Sequence, residues 1–344
     1  MSDLLQVRGL KVELPTPSGW VRPVNEVSLH IAAGESLGLV GESGSGKTMM
    51  ALALMGLLPV GARVSGDATL AGQSTSAAGA ATSSKPAAGA LSTASTATST
   101  NLTTLTERGW RDVRGRKIAM VFQEPMTALN PVMRIGAQIA EAIRAHETKL
   151  NSSEVQRRVL EALKRAAVPE PETRAEQFPH QLSGGLRQRA MIAMALAGGP
   201  RLLIADEPTT ALDVTVQKQI LDLLDGLRRE LKLGLLFITH DLGVVAQVAD
   251  RIAVMYAGRI VEQGPVREVL RAPRHPYTQG LLAASPTLER GKLTPIPGTV
   301  PQLTALPPGC AFEPRCSLRV PDCVRAVPDL RPASQDHAAR CILV

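Results

Sequence analysis

The sequence predicts an α/β fold in which a largely parallel sheet is covered on both faces. Three observations carry that prediction. Strand-like and helix-like segments alternate from Leu182 onward, and the apolar run SLGLV leads straight into a glycine-rich loop and then a helix. Of the 344 residues 44% are hydrophobic but only 2% aromatic, so Leu, Ile, Val, Ala and Met must make the core. The apolar content excludes a mini-protein and a wholly disordered chain. At ~150 residues per domain, the length allows two units or one large domain with an appendage.

Along the chain, LLQVRGLKVEL, VNEVSLHI and ESLGLV read as strands of a sheet, with a turn around Pro15 to Gly19. MMALALMGLL lacks turn formers and reads as a buried helix. From Gln73 to Thr106 the composition becomes almost wholly Ala, Ser, Thr and Gly, which cannot bury enough area to offset ordering entropy, so 73–106 is expected to be a flexible insertion. KIAMVF is a strand followed by a turn, EPMTALNP. Residues 135–146 and 153–167 space their apolar positions three and four apart, as amphipathic helices do, and suggest a helical subdomain over about 130–195. Then RQRAMIAMALA and VQKQILDLLDGLRRE read as helices between the strands RLLIAD, LGLLFITH and RIAVMYAG. Beyond Arg271 proline becomes frequent. The expected division is therefore 1–270 and a loop-rich C-terminal region, 271–344.

No apolar run reaches the ~18 residues of a membrane span, and Met1 to Leu10 carries Asp3 and Arg8, unlike a signal peptide. A cytosolic or membrane-peripheral protein is expected. The net charge of +7 suits nucleic acid, an acidic membrane surface, phosphate ligands or simply an arginine-rich soluble surface.

Chemistry concentrates in a few places. Gly41, Glu42, Ser43, Gly44, Ser45, Gly46, Lys47 and Thr48 satisfy GxxxxGK[ST] between a strand and a helix. Such a loop cradles phosphates with backbone N–H groups, Lys47 reaches the β/γ phosphates, and Thr48 can ligate Mg²⁺. RLLIADEPT delivers Asp206 to the end of a buried strand, where a nucleotide-bound Mg²⁺ would lie, with Glu207 beside it to polarise water. Ser183, Gly184 and Gly185 open a helix and form a second anion site, or, taken alone, an ordinary Ser cap.

These blocks, in this order, resemble the ATP-binding cassette of ABC transporters. The resemblance implies a P-loop NTPase with a RecA-like mixed sheet and a helical signature subdomain. It implies that Gly41–Thr48 is Walker A, Gln123 the Q-loop glutamine, LSGGLRQR the signature and Asp206 the Walker B aspartate. It further implies Glu207 as general base, Ala211–Asp213 as the D-loop and His240 as the switch histidine. Two cassettes would dimerise head to tail, so that Ser183 of one meets ATP on the other, with Gln123, Asp206 and Thr48 around Mg²⁺. Where related chains carry an adenine-stacking aromatic this one has Leu14, and Trp20 stands in. VFQEPMTALNPVMRIGAQIAE, HPYTQGLLAASP and PPGCAFEPRC are similar to the oligopeptide/dipeptide and nickel importer branch, although Leu186 replaces a frequent Met. That branch implies two permease partners, a second ATPase subunit, an extracytoplasmic binding protein acting indirectly, and a place on the cytoplasmic face of the inner membrane. Peptide, nickel and glutathione all remain open as cargo.

All four cysteines, Cys310, Cys316, Cys323 and Cys341, fall in the tail. Their spacing leaves a [4Fe–4S] cluster, zinc and free thiols open, with Arg315, Arg319, Arg325 and Arg340 near enough in sequence to offset a cluster's charge. The importer resemblance favours the cluster. Two other classes compete with an importer subunit. A soluble cassette acting on nucleic acid would explain the basic balance, but such proteins tend to insert coiled coils or zinc modules, or to carry two cassettes; no nucleic-acid partner is therefore expected. A cassette that binds ATP without hydrolysing it would not need Glu207 and His240.

Overall fold

The computed structural model describes residues 3–17, 19–72, 99–210, 212–285 and 293–344. Strands β1 (Asp3–Thr16) and β2 (Gly19–Ala32) form an antiparallel hairpin. β3 (Ser36–Val40) leaves that hairpin for a second sheet, while β4 (Arg63–Leu70) and β5 (Thr100–Asn101) return to the first, giving the order β2-β1-β4-β5. The remaining strands are β6 (Ile118–Val121), β7 (Leu202–Asp206), β8 (Gly234–Thr239), β9 (Arg251–Tyr256), β10 (Arg259–Pro265), β11 (Arg331–Pro332) and β12 (Ala338–Ala339). With β3 they make the second sheet, in the order β11-β12-β10-β9-β3-β8-β7-β6. From β9 to β6 every pairing is parallel; β10, β12 and β11 are antiparallel.

The parallel strands are buried on both faces, which is why they read as unbroken apolar runs. Successive side chains point to opposite sides. In β8, Leu235 and Phe237 join one core and Leu236 and Ile238 the other; in β7, Leu203 and Ala205 oppose Leu202 and Ile204. One core is closed by helices Gly184–Leu196, Val214–Leu231 and Leu242–Val248 and by the helical group Ile135–Arg144, Ser152–Arg165 and Pro171–Ala175. The hairpin sheet and helix Lys47–Met55 close the other. Among the described residues no helix is long and apolar enough to cross a membrane.

The structure departs from the sequence reading in four places. The first two strands do not share a sheet with SLGLV. The alternation in VNEVSLHI, with Val24, Val27, Leu29 and Ile31 buried and polar residues between them, already marks a sheet covered on one face only. EPMTALNP contains a helical turn, Pro125–Ala128, started by a proline at its first position. The stretch expected to be flexible over 73–106 reaches too far. Residues 73–98 lie outside the described ones, but Thr100–Asn101 pairs with β4 and Leu102 is fully buried against the hairpin core. Finally, the C-terminal region is no separate appendage. β12 adds to β10, and Tyr277 and Phe312 pack into the main core.

Candidate active site

β3 ends at Val40, and the chain turns through the glycine-rich loop into helix Lys47–Met55. Two glycines are obligatory there. A Cβ on Gly41 would collide with the Met255 carbonyl oxygen, and one on Gly46, whose φ is 107°, with that of Pro23. Both obstacles are backbone, so neither can yield. No side chain caps this helix, and its first amides are left for an anion, which the helix dipole favours.

Lys47 folds back over the loop. Its Nζ donates to the carbonyls of Gly41 (2.7 Å) and Glu42 (3.0 Å). Burial pulls its pKa down, against the opposing pull of Glu207, Asp206 and Glu42. A triphosphate in the loop would supply the acceptors that these carbonyls supply now.

Asp206, the last residue of β7, is buried, and burial pushes its pKa up while a hydrogen bond with the Thr48 side chain opposes that shift. Its Oδ1 has no hydrogen-bond partner. A buried carboxylate with an orphaned oxygen, bonded to a hydroxyl at the mouth of a phosphate loop, fits the oxygen donor set of a Mg²⁺ ion.

Glu207 adopts a left-handed backbone conformation, φ 45°, while its N–H donates to the Ile238 carbonyl (2.9 Å). Such a conformation costs on the order of 1–3 kcal/mol in a non-glycine residue and persists where the surroundings impose it. Here it directs the carboxylate into a polar cluster. Glu207 Oε2 accepts from Thr210 Oγ1 (2.9 Å) and from Gln123 Nε2 (3.3 Å), and lies 3.4 Å from His240 Nδ1. The hydrogen bond with His240 lowers the Glu207 pKa and raises that of His240, each against burial. The C-terminal ends of β6, β7 and β8 thus deliver Gln123, Asp206 with Glu207, and His240 to the edge where the phosphate loop leaves β3, the usual place for a ligand in an open parallel sheet. Pro23, Ser43, Gly46, Lys47, Gln123, Glu207 and Leu303 are among the residues lining one cleft of about 670 Å³.

Two expected groups stand elsewhere. Ser183 caps helix Gly184–Leu196, its hydroxyl accepting from the Leu186 N–H (3.4 Å), and neither it nor Gly184 or Gly185 lines the cleft. Trp20 lies at the end of the β1–β2 hairpin, half exposed, with the Arg63 guanidinium 3.9 Å above its ring; it does not line the cleft either.

Sequence reasoning missed the partners of Glu42. Its N–H donates to the Tyr277 hydroxyl (2.8 Å), and its carboxylate receives both ends of the Arg315 guanidinium, at 2.7 and 3.0 Å. Arg315 is therefore not a spare counter-charge for the cysteines. Arg319 and Arg325 are paired with Glu313 and Asp322, and Arg340 donates to the Ile260 and Pro328 carbonyls.

A phosphate loop, a Walker-type aspartate and a Gln–Glu–His cluster at the edge of this sheet define an ATP-hydrolysing cassette. Residues 24–210 match the family model described as ABC transporter, and residues 261–323 match that for the oligopeptide/dipeptide transporter C-terminal region. The chain belongs to the ABC transporter family, and its activity is ATP hydrolysis. It is 48% identical to a Brucella ovis protein named "Putative peptide import ATP-binding protein", over 98% of this chain and 96% of that one. It is 44% identical to the oligopeptide transport ATP-binding protein OppD of Bacillus subtilis, over 100% of this chain and 90% of that one. Its fold is similar to that of the cassette MJ0796, solved as a dimer bound to ADP and Pi, with a TM-score of 0.61 and 25% identity over 76% of this chain and 99% of that one.

Proposed function

We propose that the chain is the ATPase subunit of a peptide importer, working at the cytoplasmic face of the membrane with two permease subunits and a second cassette. The observation that carries this reading is the Gln123–Glu207–His240 cluster beside Lys47 and the half-partnered Asp206, in a chain whose tail matches the oligopeptide/dipeptide transporter region.

Gly41–Thr48 and Lys47 would hold the triphosphate, and Gln123, Thr48 and Asp206 would hold Mg²⁺, which when bound would offset phosphate charge. Glu207 orients the attacking water and takes its proton; His240, kept protonated more readily by Glu207, donates to the γ-phosphate. Ser183, Gly184 and Gly185, which do not line their own chain's cleft, close over ATP on the partner cassette, as head-to-tail pairing requires. Closure and reopening of that dimer drive the permeases.

The tail carries a finer proposal. The four cysteines line one small pocket and none is in a disulfide; burial raises the Cys310 and Cys316 thiol pKa values, and the neighbouring thiols add to the rise. Among the described residues no group of three or more His, Cys, Asp or Glu already stands in metal-binding arrangement. Four cysteines around one pocket are nevertheless the donor set of a [4Fe–4S] cluster, which, held there as thiolates, would be structural, cross-linking a tail poor in regular structure.

Reconstitution with the co-expressed permeases tests the transport reading. Peptides delivered by the binding protein should stimulate ATP hydrolysis; stimulation by nickel or glutathione instead, or co-purification with rRNA or DNA, removes peptide import. Visible absorption of anaerobically purified protein tests the cluster, and a colourless sample containing only zinc removes it.

A further inference from the structure

The phosphate loop is held by groups that ATP binding and hydrolysis as described above do not use. Arg315 sits between Cys310 and Cys316, in the short turn Glu313–Arg315, and its side chain is only 5% exposed. Its Nη1 and Nη2 grip the two Glu42 carboxylate oxygens, Nε donates to the Pro297 carbonyl (2.8 Å), and Nη1 reaches the Tyr256 hydroxyl at 3.4 Å. Tyr277, from helix Pro276–Ala283, accepts the Glu42 N–H. That helix is itself fixed: Glu262, fully buried on β10, accepts the N–H groups of Arg274 and His275 and contacts His337 at 2.7 Å.

We infer that Arg315 and Tyr277 are positioning residues for the phosphate loop, and that the Arg315 guanidinium neutralises Glu42 so that the loop can accept a polyanion. This rests on Gly41–Thr48 being the loop that binds ATP. A carboxylate at the second position of a phosphate loop opposes its ligand, since it repels the triphosphate and draws on the same lysine, Lys47. The bidentate, largely desolvated pair with Arg315 removes that charge and fixes the side chain away from the phosphates. The C-terminal region is on this account part of the nucleotide site.

The test is ATP hydrolysis and Mg·ATP binding by the purified full chain. Arg315→Gln leaves Glu42 charged and unpaired; KM for ATP should rise about tenfold, equivalent to about 1.4 kcal/mol, with kcat changed by less than about threefold. Removing the unpaired charge as well, in Arg315→Gln/Glu42→Gln, should return KM to within about threefold of wild type. A double variant as impaired as the single one would make Arg315 merely structural, and an unchanged KM in Arg315→Gln would overturn the inference outright. If Arg315→Gln fails to fold, Glu42→Gln alone decides: KM should hold or fall, and a rise refutes charge neutralisation. Lys47→Ala is the control for the loop itself. ATP binding that survives Lys47→Ala discards the loop assignment, whereas its loss beside normal Arg315 variants discards only the Arg315 role.

Discussion

Replacing Glu207 by Gln should separate nucleotide binding from chemistry. Glutamine keeps the shape of the side chain, and its Oε1 can still accept from Thr210 Oγ1 and Gln123 Nε2, which lie 2.9 and 3.3 Å from Glu207 Oε2. What disappears is the charge that takes a proton from water. ATP binding rests on the loop and Lys47 and should survive. Turnover should fall by about 10²–10⁴, the contribution of a positioned general base, or roughly 2.7–5.5 kcal/mol in the barrier. Phosphate release at saturating Mg·ATP, measured beside equilibrium nucleotide binding, is the assay. Wild-type turnover would refute the role given to Glu207, and lost binding would show that its charge supports the loop. The same change acts on His240, whose pKa is raised above 6.5 chiefly by the hydrogen bond with Glu207. In Glu207→Gln the imidazole should titrate closer to that ordinary value. The raised histidine stabilises the fold fully below its unfolded pKa, and that contribution is lost as pH rises through the folded value. The lowered glutamate contributes above its unfolded pKa and is lost as pH falls through its own folded value. Glu207→Gln should therefore cost most stability on the mildly acid side of neutrality, where the carboxylate is charged and the imidazole protonated.

Gly41→Ala should abolish ATP binding and lower the melting temperature, because its Cβ meets the Met255 backbone rather than a movable side chain; wild-type nucleotide affinity would contradict that geometry. Phe237→Ala, in the fully buried middle of β8, should cost about 3–5 kcal/mol in urea unfolding. Ser183→Ala should cost the isolated chain only about 1 kcal/mol, the worth of a helix cap, yet depress hydrolysis far more in the assembled dimer; equal small effects in both states would remove the second anion site.

The parallel core was legible in the sequence because strands buried on both faces read as apolar runs, as LLIA and GLLFI do. The phosphate loop and the aspartate after β7 were legible because their chemistry is local: glycine where the backbone turns against a carbonyl, a carboxylate where a strand ends. The antiparallel hairpin sheet was not separated from the main sheet, since strand periodicity says nothing about which sheet a strand joins. Leu102 was passed over because one buried leucine beside an Ala/Ser/Thr stretch gives no periodic signal. Arg315 was read as a neighbour of cysteines because sequence distance was the only distance available, and its partner lies 273 residues away. The separation of Ser183 from the cleft was not legible either, since SGG opening a helix reads the same whether its serine is a plain cap or faces a ligand.

That separation of 273 residues also has a meaning in time. A ribosome adding about 5–20 residues per second makes Glu42 roughly 14–55 s before it makes Arg315. During that interval the emerging cassette can fold its parallel sheet while its nucleotide loop still carries an unanswered negative charge. If Arg315 neutralises Glu42 as inferred above, full affinity for ATP arrives only with the docking of the turn Glu313–Arg315.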